Sequence, residues 1–408
     1  MAQPIRIEPD LQFIQELQAV GGESLKKCYQ CATCSVACPV SPTNNPYPRK
    51  EMIWAQWGMK DQLLSDIDIW LCHNCGTCSD LCPRGAKPGD LLAALRNMAY
   101  KSLTPLSFVG KWMSSAKYLP ILFLLPAILF LAIWAIHVYG FMETPEWFPL
   151  TDQGEIVYGL VFPGDYTIDP LFGLVTLCVV GLFFMGVRNQ IKSLRAEGST
   201  LVVGQEKPSI LKAFVQALIE IIPHKRFTTC GTEKADRKLG HLALFGGFVM
   251  LAVVTGTVAV GHWGVVLWGI FFGHEGAIYE ALEHFNHWTH TPMPPLHLVK
   301  LLAYAGAASL VGGLALLTFR RFQQDDSKTS SNYYDWYLLG VIWAVGLTGV
   351  FSMLFRMAGM KYLAYPTYYL HLVTVFMLFA YLPWSKLAHL VYRTVAMTYA
   401  NYRGRKAM

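Results

Sequence analysis

The sequence predicts an all-α protein in two parts, a small cysteine-rich helical domain at residues 1–108 and a bundle of six membrane-spanning helices at 109–408. Three observations carry this. Of 408 residues, 53% are hydrophobic and 15% are charged, against about 25% charged in a typical soluble domain. Eight of the ten cysteines fall between Cys28 and Cys82, ahead of the first long apolar run. The remainder contains six apolar runs long enough to cross the membrane, since ~20 helical residues span ~30 Å of hydrocarbon.

The first thirty residues lack the short apolar core and small-residue cleavage site of a signal peptide, so the N-terminal domain is expected to stay in the cytoplasm. In that reducing compartment clustered cysteines read as metal ligands rather than disulfides. The stretch CYQCATCSVACP places Cys28, Cys31, Cys34 and Cys38 ahead of Pro39, and CHNCGTCSDLCP repeats the spacing with Cys72, Cys75, Cys78 and Cys82 ahead of Pro83. C-x2-C-x2-C-x3-C-P is the spacing of bacterial ferredoxins, in which the fourth cysteine of each run ligates the other cluster. The expected ligand sets are therefore Cys28, Cys31, Cys34 and Cys82 for one [4Fe–4S] cluster, and Cys72, Cys75, Cys78 and Cys38 for the second. A pair of zinc sites is the alternative, but zinc uses paired knuckles and does not call for the third cysteine or the C-P ending. Cys178 and Cys230 are assigned no role.

Between the two runs, RKEMIWAQWGMKDQLLSDIDIWLC carries Ile53, Trp57, Met59, Leu63, Leu64 and Ile67 at helical spacing. KPGDLLAALRNMAYKSL reads as a further helix with Asp90 as N-cap. Helices in place of a short hairpin indicate an α-helical ferredoxin domain, small enough that cluster binding and folding are coupled.

The spans are expected at about 118–140, 170–188, 240–262, 296–319, 336–355 and 367–391. The loop 141–169 has six acidic residues and no Lys or Arg, and 263–295 also has no Lys or Arg, whereas 189–239 carries nine. By the positive-inside rule the clusters and both termini lie on the cytoplasmic side, and the net charge of +6 reflects those loops rather than nucleic-acid affinity. Within 189–239, SILKAFVQALIEII puts Ile210, Leu211, Phe214, Val215, Leu218 and Ile222 on one face, a helix on the membrane surface or against a partner.

Histidines inside spans are costly and mark candidate sites. His371 and His389 are eighteen residues apart on the last apolar run. In one helix that is five turns, with both rings on one face ~27 Å apart along the axis, unless Pro383 bends it. Two stacked imidazoles suit axial ligation of two haem b groups, with His241 level with His389 and His297 level with His371. His262 competes with His297, and hydrated interfacial histidines are the plain alternative. The trio His284, His287 and His290 reads as part of an interfacial aromatic helix. Lys300 and Arg356 are cations on the outer side, against the topology rule. They suit a quinone headgroup or haem propionates, with helix C-capping by Arg356 as the competing role.

CYQCATCSVACP and CHNCGTCSDLCP resemble the iron–sulfur C subunits of heterodisulfide reductases. RKLGHLALFGGF and HLVTVFMLFAYLPWSKLAH are similar to the first and last haem helices of the cytochrome b subunits of respiratory nitrate reductases. That family has a second histidine ten residues after the first, where this chain has Leu251, so the fourth haem ligand must come from elsewhere. The fusion resembles the C subunits of the quinone-interacting membrane-bound oxidoreductases of sulfate reducers. The resemblance implies electron exchange between menaquinone and flavoprotein/iron–sulfur partner subunits A and B, and through them adenylylsulfate reductase, at the cytoplasmic membrane. No G-x-G-x-x-G follows a strand to hold a flavin or NAD. A clusters-only membrane anchor is the second reading. A metal-ion transporter is the third, and it lacks the polar or broken midplane helices such a path needs.

Overall fold

The computed structural model describes residues 8–42, 45–196, 208–227, 235–323, 325 and 329–405; Cys230 lies outside them. Helices are the regular elements throughout, and no strand occurs among the described residues. The N-terminal domain contains α1 (Leu11–Leu17), α2 (Thr33–Ala37), α3 (Arg49–Gln56), α4 (Lys60–Ser65), α5 (Asp68–Leu71), α6 (Thr77–Asp80) and α7 (Pro88–Leu103). α7 is its central rod. Leu91, Leu92, Ala94, Leu95, Ala99 and Tyr100 are buried against Phe13, Leu17, Met52, Leu63 and Trp70.

After α8 (Ser107–Met113) come five long apolar helices: α9 (Leu119–Gly140), α10 (Asp169–Ala196), then, past the short α11 (Ile210–Ile221), α12 (Ala235–Phe272), and, past α13 (Ala277–Thr289), α14 (Leu298–Phe322) and α15 (Tyr333–Met357). The sixth is α16 (Lys361–Ala380), and α17 (His389–Tyr402) closes the chain. Among the described residues, six helices are thus long and apolar enough to cross a membrane, as the sequence predicts.

The structure differs from two expectations. The apolar run 367–391 is not one helix. α16 ends at Ala380, and 381–388 turns through two short 3-10 segments. Pro383 has no N–H to continue the ladder, and Ser385 takes an extended conformation whose hydroxyl accepts from Leu387 N. The turn is held from the first domain, where Thr104 donates to Pro383 O and Pro105 O accepts from Trp384 Nε1 at 3.1 Å. Asp90 is not the N-cap of α7 either. The helix starts at Pro88, and the Asp90 carboxylate accepts from Ser330 N and Oγ at 2.8 and 3.0 Å, tying the domain to the loop between α14 and α15.

These ties mean that the boundary at 108–109 divides the chain but not the core. Tyr392, Ala396 and Met397 of α17 and Leu194 of α10 belong to the same buried cluster as Trp70 and Tyr100. The amphipathic α11 turns Ala213 and Ala217 onto α17 and leaves Ile210, Leu211, Phe214, Val215, Ile219 and Ile222 exposed.

α12 and α14 pack closely against each other. Gly240 and Gly247 on one and Gly306 and Gly313 on the other, each pair seven residues apart, line the contact, tightly at Gly240 and Gly306 and with no room for a side chain at Gly247 and Gly313. A Cβ at Gly247 would lie 2.6 Å from the backbone nitrogen of Leu310. Small residues at repeating positions let two helices in lipid approach through their backbones. Gly247→Leu should therefore force the pair apart, at a cost of about 1–3 kcal/mol. The measurement is the thermal midpoint in detergent, which should fall for Gly247→Leu and hold for Gly246→Leu, whose Cβ meets open space.

Candidate functional site

The two cysteine runs adopt one backbone twice, offset by 44 residues. Gln30 and Asn74 have positive φ (60° and 49°), as do Ala32 and Gly76 (68° and 88°), and each run then enters a short helix at a threonine. The same groups point at the sulfurs: Gln30 N and Asn74 N donate to Cys28 and Cys72 Sγ at 3.4 and 3.3 Å, while Thr33 and Thr77 hydroxyls lie 3.3 and 3.4 Å from Cys31 and Cys75. Ala86 N reaches Cys82 Sγ at 3.3 Å.

Because α2 packs against α6, the fourth cysteine of each run crosses to the other set. Cys34 feels the charges of Cys28, Cys82 and Cys31, and Cys78 those of Cys72, Cys75 and Cys38. Burial first, then these neighbours, pushes Cys34 up to about 11; burial foremost pushes Cys38 up to about 12. Thiols so placed become thiolates when a metal takes them. No three of the eight sulfurs lie within 4.8 Å of one another. Four thiolates 2.3 Å from a single zinc would be ~3.8 Å apart, so the donor sets are more open than a zinc site.

The second site begins at the edge of the first. A cavity of about 650 Å³ lies between the cluster domain and the membrane helices, within the 300–1,000 Å³ of cofactor pockets. Its lining includes the apolar Leu244, Phe245, Leu338, Leu339 and Ile342, the cations Arg96, Arg320, Arg321 and Arg393, and the acids Asp80, Glu220, Asp325 and Asp335. His241 and His389 both line it. Their tautomers follow from their partners. His224 Nδ1 lies 2.9 Å from Ile222 O, which only accepts, so Nδ1 carries the proton. His224 Nε2 then accepts from His241 Nδ1 at 2.8 Å, leaving His241 Nε2 with a lone pair. Burial lowers the His224 pKa and keeps that ring neutral. His389 Nδ1 likewise donates to Lys386 O at 2.7 Å and leaves its own Nε2 unprotonated. The carbonyl is itself fixed, because the Lys386 ammonium pairs with Asp335, half of a capping box with Asn332 at the start of α15. A metal-binding imidazole is oriented in this way, by a hydrogen bond at its other nitrogen. Two imidazole donors, apolar side chains and several arginines in one lining fit a haem and its propionates.

One helical turn from each histidine, an arginine grips the second cluster motif. Arg237 on α12 donates to His73 O and Asn74 O, both at 2.8 Å, and Arg393 on α17 lies 2.8 Å from His73 Nδ1. Arg96 donates to Cys72 O at 3.0 Å. The sequence did not point to His73, His224, Arg237 or Arg393. Nothing in IIPHKRF or CHNC marks them; chain-distant contacts do.

The outer pairing does not form. Gly247 faces Leu310, Leu310 faces Gly346, and the His371 ring packs on Gly349, one turn further on. His371 is therefore level with Leu251, and bonds Thr348 Oγ1 at 3.1 Å. His297 caps the N-terminus of α14, beside Trp288. It is ten residues, or ~15 Å, further out. His262 is as far out and pairs with Asp165 at 2.9 Å. Lys300 and Arg356 feel each other's charge, and they donate to the carbonyls of Met293 and Ile156 at 2.9 and 3.0 Å. Lys361 instead pairs with Glu146.

A family model for the 4Fe-4S dicluster domain matches residues 24–86. Over 94 residues the chain is 39% identical to the C subunit of the H(2):CoB-CoM heterodisulfide,ferredoxin reductase of Methanothermobacter marburgensis, covering 23% of this chain and 50% of that protein. It is 38% identical over 78 residues to the iron-sulfur C subunit of the CoB--CoM heterodisulfide reductase of Methanopyrus kandleri, 19% of this chain and 41% of that one. It is 29% identical over 99 residues to a protein of Archaeoglobus profundus described as like the C subunit of heterodisulfide reductase, 24% and 53% respectively. The chain spans about half the length of the curated relatives it matches. No solved structure matches it. The N-terminal domain is similar to these C subunits in the region that carries both cysteine runs.

The crossed ligation gives a direct test. Cys38→Ser should change or remove the electron paramagnetic resonance signal of the cluster held by Cys72, Cys75 and Cys78 and spare the other. A change confined to the set Cys28, Cys31 and Cys34 would show that ligation is not crossed.

Proposed function

We propose that this chain is the membrane electron-transfer subunit of a larger oxidoreductase, exchanging electrons between a quinone in the lipid and cytoplasmic flavin- or iron–sulfur-containing partner subunits. One observation carries the reading. The loop between Cys72 and Cys75 is gripped by Arg237 and Arg393, and each of these stands one turn from a histidine that presents an unprotonated Nε2 to the same cavity. Cluster domain and membrane helices are therefore joined at their candidate redox sites rather than through a remote linker.

His241 and His389 are the axial ligands in this reading, with His224 and Lys386 O setting their tautomers, and Arg96, Arg320 and Arg321 positioned to pair with propionates. A haem held there supplies a one-electron centre. The proposal is for one bis-histidine haem b, because the described histidines do not converge at the level of His371. Lys300 and Arg356 supply charged hydrogen-bond donors for a quinone oxygen at the far end of the bundle. The basic loops favour a cytoplasmic cluster domain and cytoplasmic termini in an inner membrane. In the finer form suggested by the sequence resemblance, the quinone is menaquinone, the partners are flavoprotein subunits A and B, and electrons reach adenylylsulfate reductase in sulfate respiration. The archaeal relatives, as subunits of heterodisulfide reductases, support the role of electron-transfer subunit.

The test is optical. A reduced-minus-oxidised spectrum of the purified protein should show a low-spin b-type signal, which a clusters-only anchor lacks. His241→Ala and His389→Ala should each abolish it while non-haem iron stays at about eight atoms per chain, as two cubanes require. His371→Ala should leave it in place. If His241→Ala and His389→Ala remove different signals, the two residues do not share a haem. Lys300→Ala and Arg356→Ala should slow quinol oxidation about tenfold, the loss expected for a charged hydrogen bond, and leave haem content unchanged.

A further inference from the structure

The two cysteine runs share a backbone but not an environment. The loop Cys72–Cys75 is covered by Arg237, Arg393 and Arg96, with Phe227 edge-on to His73. Its counterpart, Cys28–Cys31, is open. Tyr29, which corresponds to His73, is 67% exposed; Val36, which corresponds to Asp80, is 81% exposed; and Leu81, where α6 runs out, is 56% exposed. Cys31 itself is exposed. The fold therefore presents one cluster to its own membrane helices and the edge of the other to the outside.

What surrounds that edge is basic. Lys26 and Lys27 immediately precede Cys28, and both are exposed. Arg84 lies over the Tyr29 ring, 4.2 Å from its centroid, and donates to its hydroxyl at 3.0 Å. Arg49 is exposed, donates to Gln30 O at 2.9 Å, and its charge reaches Cys28 and Cys31. Glu23 is the exposed acid nearest Cys28 in sequence, and on the other run the exposed Asp80 adjoins Leu81, so the cations Lys26, Lys27, Arg49 and Arg84 outnumber the acids there. An apolar centre with a cationic rim, placed over an electron carrier, matches a partner of opposite charge, which such a field both steers and orients.

We infer that this face, centred on Tyr29, Val36 and Leu81 and rimmed by Lys26, Lys27, Arg49 and Arg84, is the docking surface for a redox protein with an acidic face. Resting on the electron-transfer role proposed for the chain, this assigns an order: the cluster of Cys72, Cys75, Cys78 and Cys38 is proximal to the membrane, and that of Cys28, Cys31, Cys34 and Cys82 is distal and meets the partner. One electron crosses per encounter, the cluster changing by one unit of charge and the partner's centre by the opposite unit.

The test uses the whole protein in detergent with its clusters photoreduced, so that neither quinol nor haem ligation is needed and a failure of the membrane half does not read as a failure of this one. The reduced protein is mixed in a stopped-flow instrument with the Cu(II) form of a plastocyanin bearing an acidic patch, or with a basic ferricytochrome c. Cluster oxidation should be fast with plastocyanin and should slow steeply as ionic strength rises through the range where the Debye length falls from about 30 to 8 Å. The triple variant Lys26→Glu/Lys27→Glu/Arg84→Glu should lower the plastocyanin rate at low salt about tenfold or more, within the 10–10³ attributed to steering, and raise the cytochrome rate. Lys111→Glu, on α8, should change neither. Should the triple variant lose cluster absorbance, Lys27→Glu and Arg84→Gln take its place, each with a smaller decrease in the same direction. Unchanged plastocyanin rates in the cluster-intact variants, or an equal decrease in Lys111→Glu, overturn the assignment.

Discussion

The arrangement turns on one half-buried arginine. Arg237 sits at the junction of two bodies and donates to the carbonyls of His73 and Asn74, the two residues between the first two cysteines of a cluster motif. Taking a cation out of water costs several kcal/mol, and two well-placed carbonyls with a thiolate-rich site behind them offset part of that. Its position, four residues before His241, converts a local contact into a metric constraint. The cluster loop cannot shift without moving the first turn of α12 and the imidazole above it. Arg393 repeats the constraint from α17, four residues after His389. Two helices far apart in sequence are thereby registered against the same four-residue loop.

α17 can serve this purpose only if its own ends are held. The turn 381–388 does so at one end, clasped by Thr104 and Pro105. At the other end Arg405 pairs with Asp68 inside the first domain, where Glu51, Asp66 and Asp68 are all fully buried around Lys50. Three carboxyls face two cations there. Burial pushes Glu51 well above its ordinary range, so the carboxyl oxygens of Glu51, which lack hydrogen-bond partners, belong to the group that can shed its charge at least cost. Breaking this pair from either side would leave an uncompensated buried charge, which is the costly kind of loss. The C-terminal segment is therefore part of the cluster domain in space, although it follows the last span in sequence.

What was legible in the sequence divides by the range of the interaction. Ligand spacing and turn chemistry are local, so the doubled C-x2-C-x2-C-x3-C-P motif was legible as two cluster-binding runs, and a 4Fe-4S dicluster model matches the same residues. Apolar length is local as well, and five of the six expected spans overlap long helices closely. The sixth span failed at 380 because hydropathy does not distinguish a helix from an apolar turn. Leu382, Pro383 and Trp384 continue the hydrophobic run, but their hydrogen bonds go to Thr104 and Pro105. With that helix interrupted, the five-turn spacing linking His371 to His389 has no basis, even though His389 still reaches the cavity with His241. Depth was misjudged for His297 for a related reason. The register between α12, α14 and α15 is set by which glycines meet which leucines, and that is a property of pairs.

The duplicated motif explains why such a chain needs two clusters rather than one. A single C-x2-C loop has one face from which another redox centre can approach closely, and in the second repeat the membrane helices occupy that face. A one-cluster domain seated in this way would have its Cys72–Cys75 loop covered by Arg237 and Arg393, with Cys72 and Cys78 buried and Cys75 half-buried. It would have no exposed edge to offer. Repeating the loop and packing α2 against α6 gives a second copy of that face turned to the outside, and Cys82 lies near Cys28 while Cys38 lies near Cys72 and Cys75. Cys38 and Cys82 each belong to one repeat by sequence and to the other by contact. Movement of either repeat would therefore disturb both ligand sets, which holds the inner and outer sites at a fixed separation while their surroundings differ.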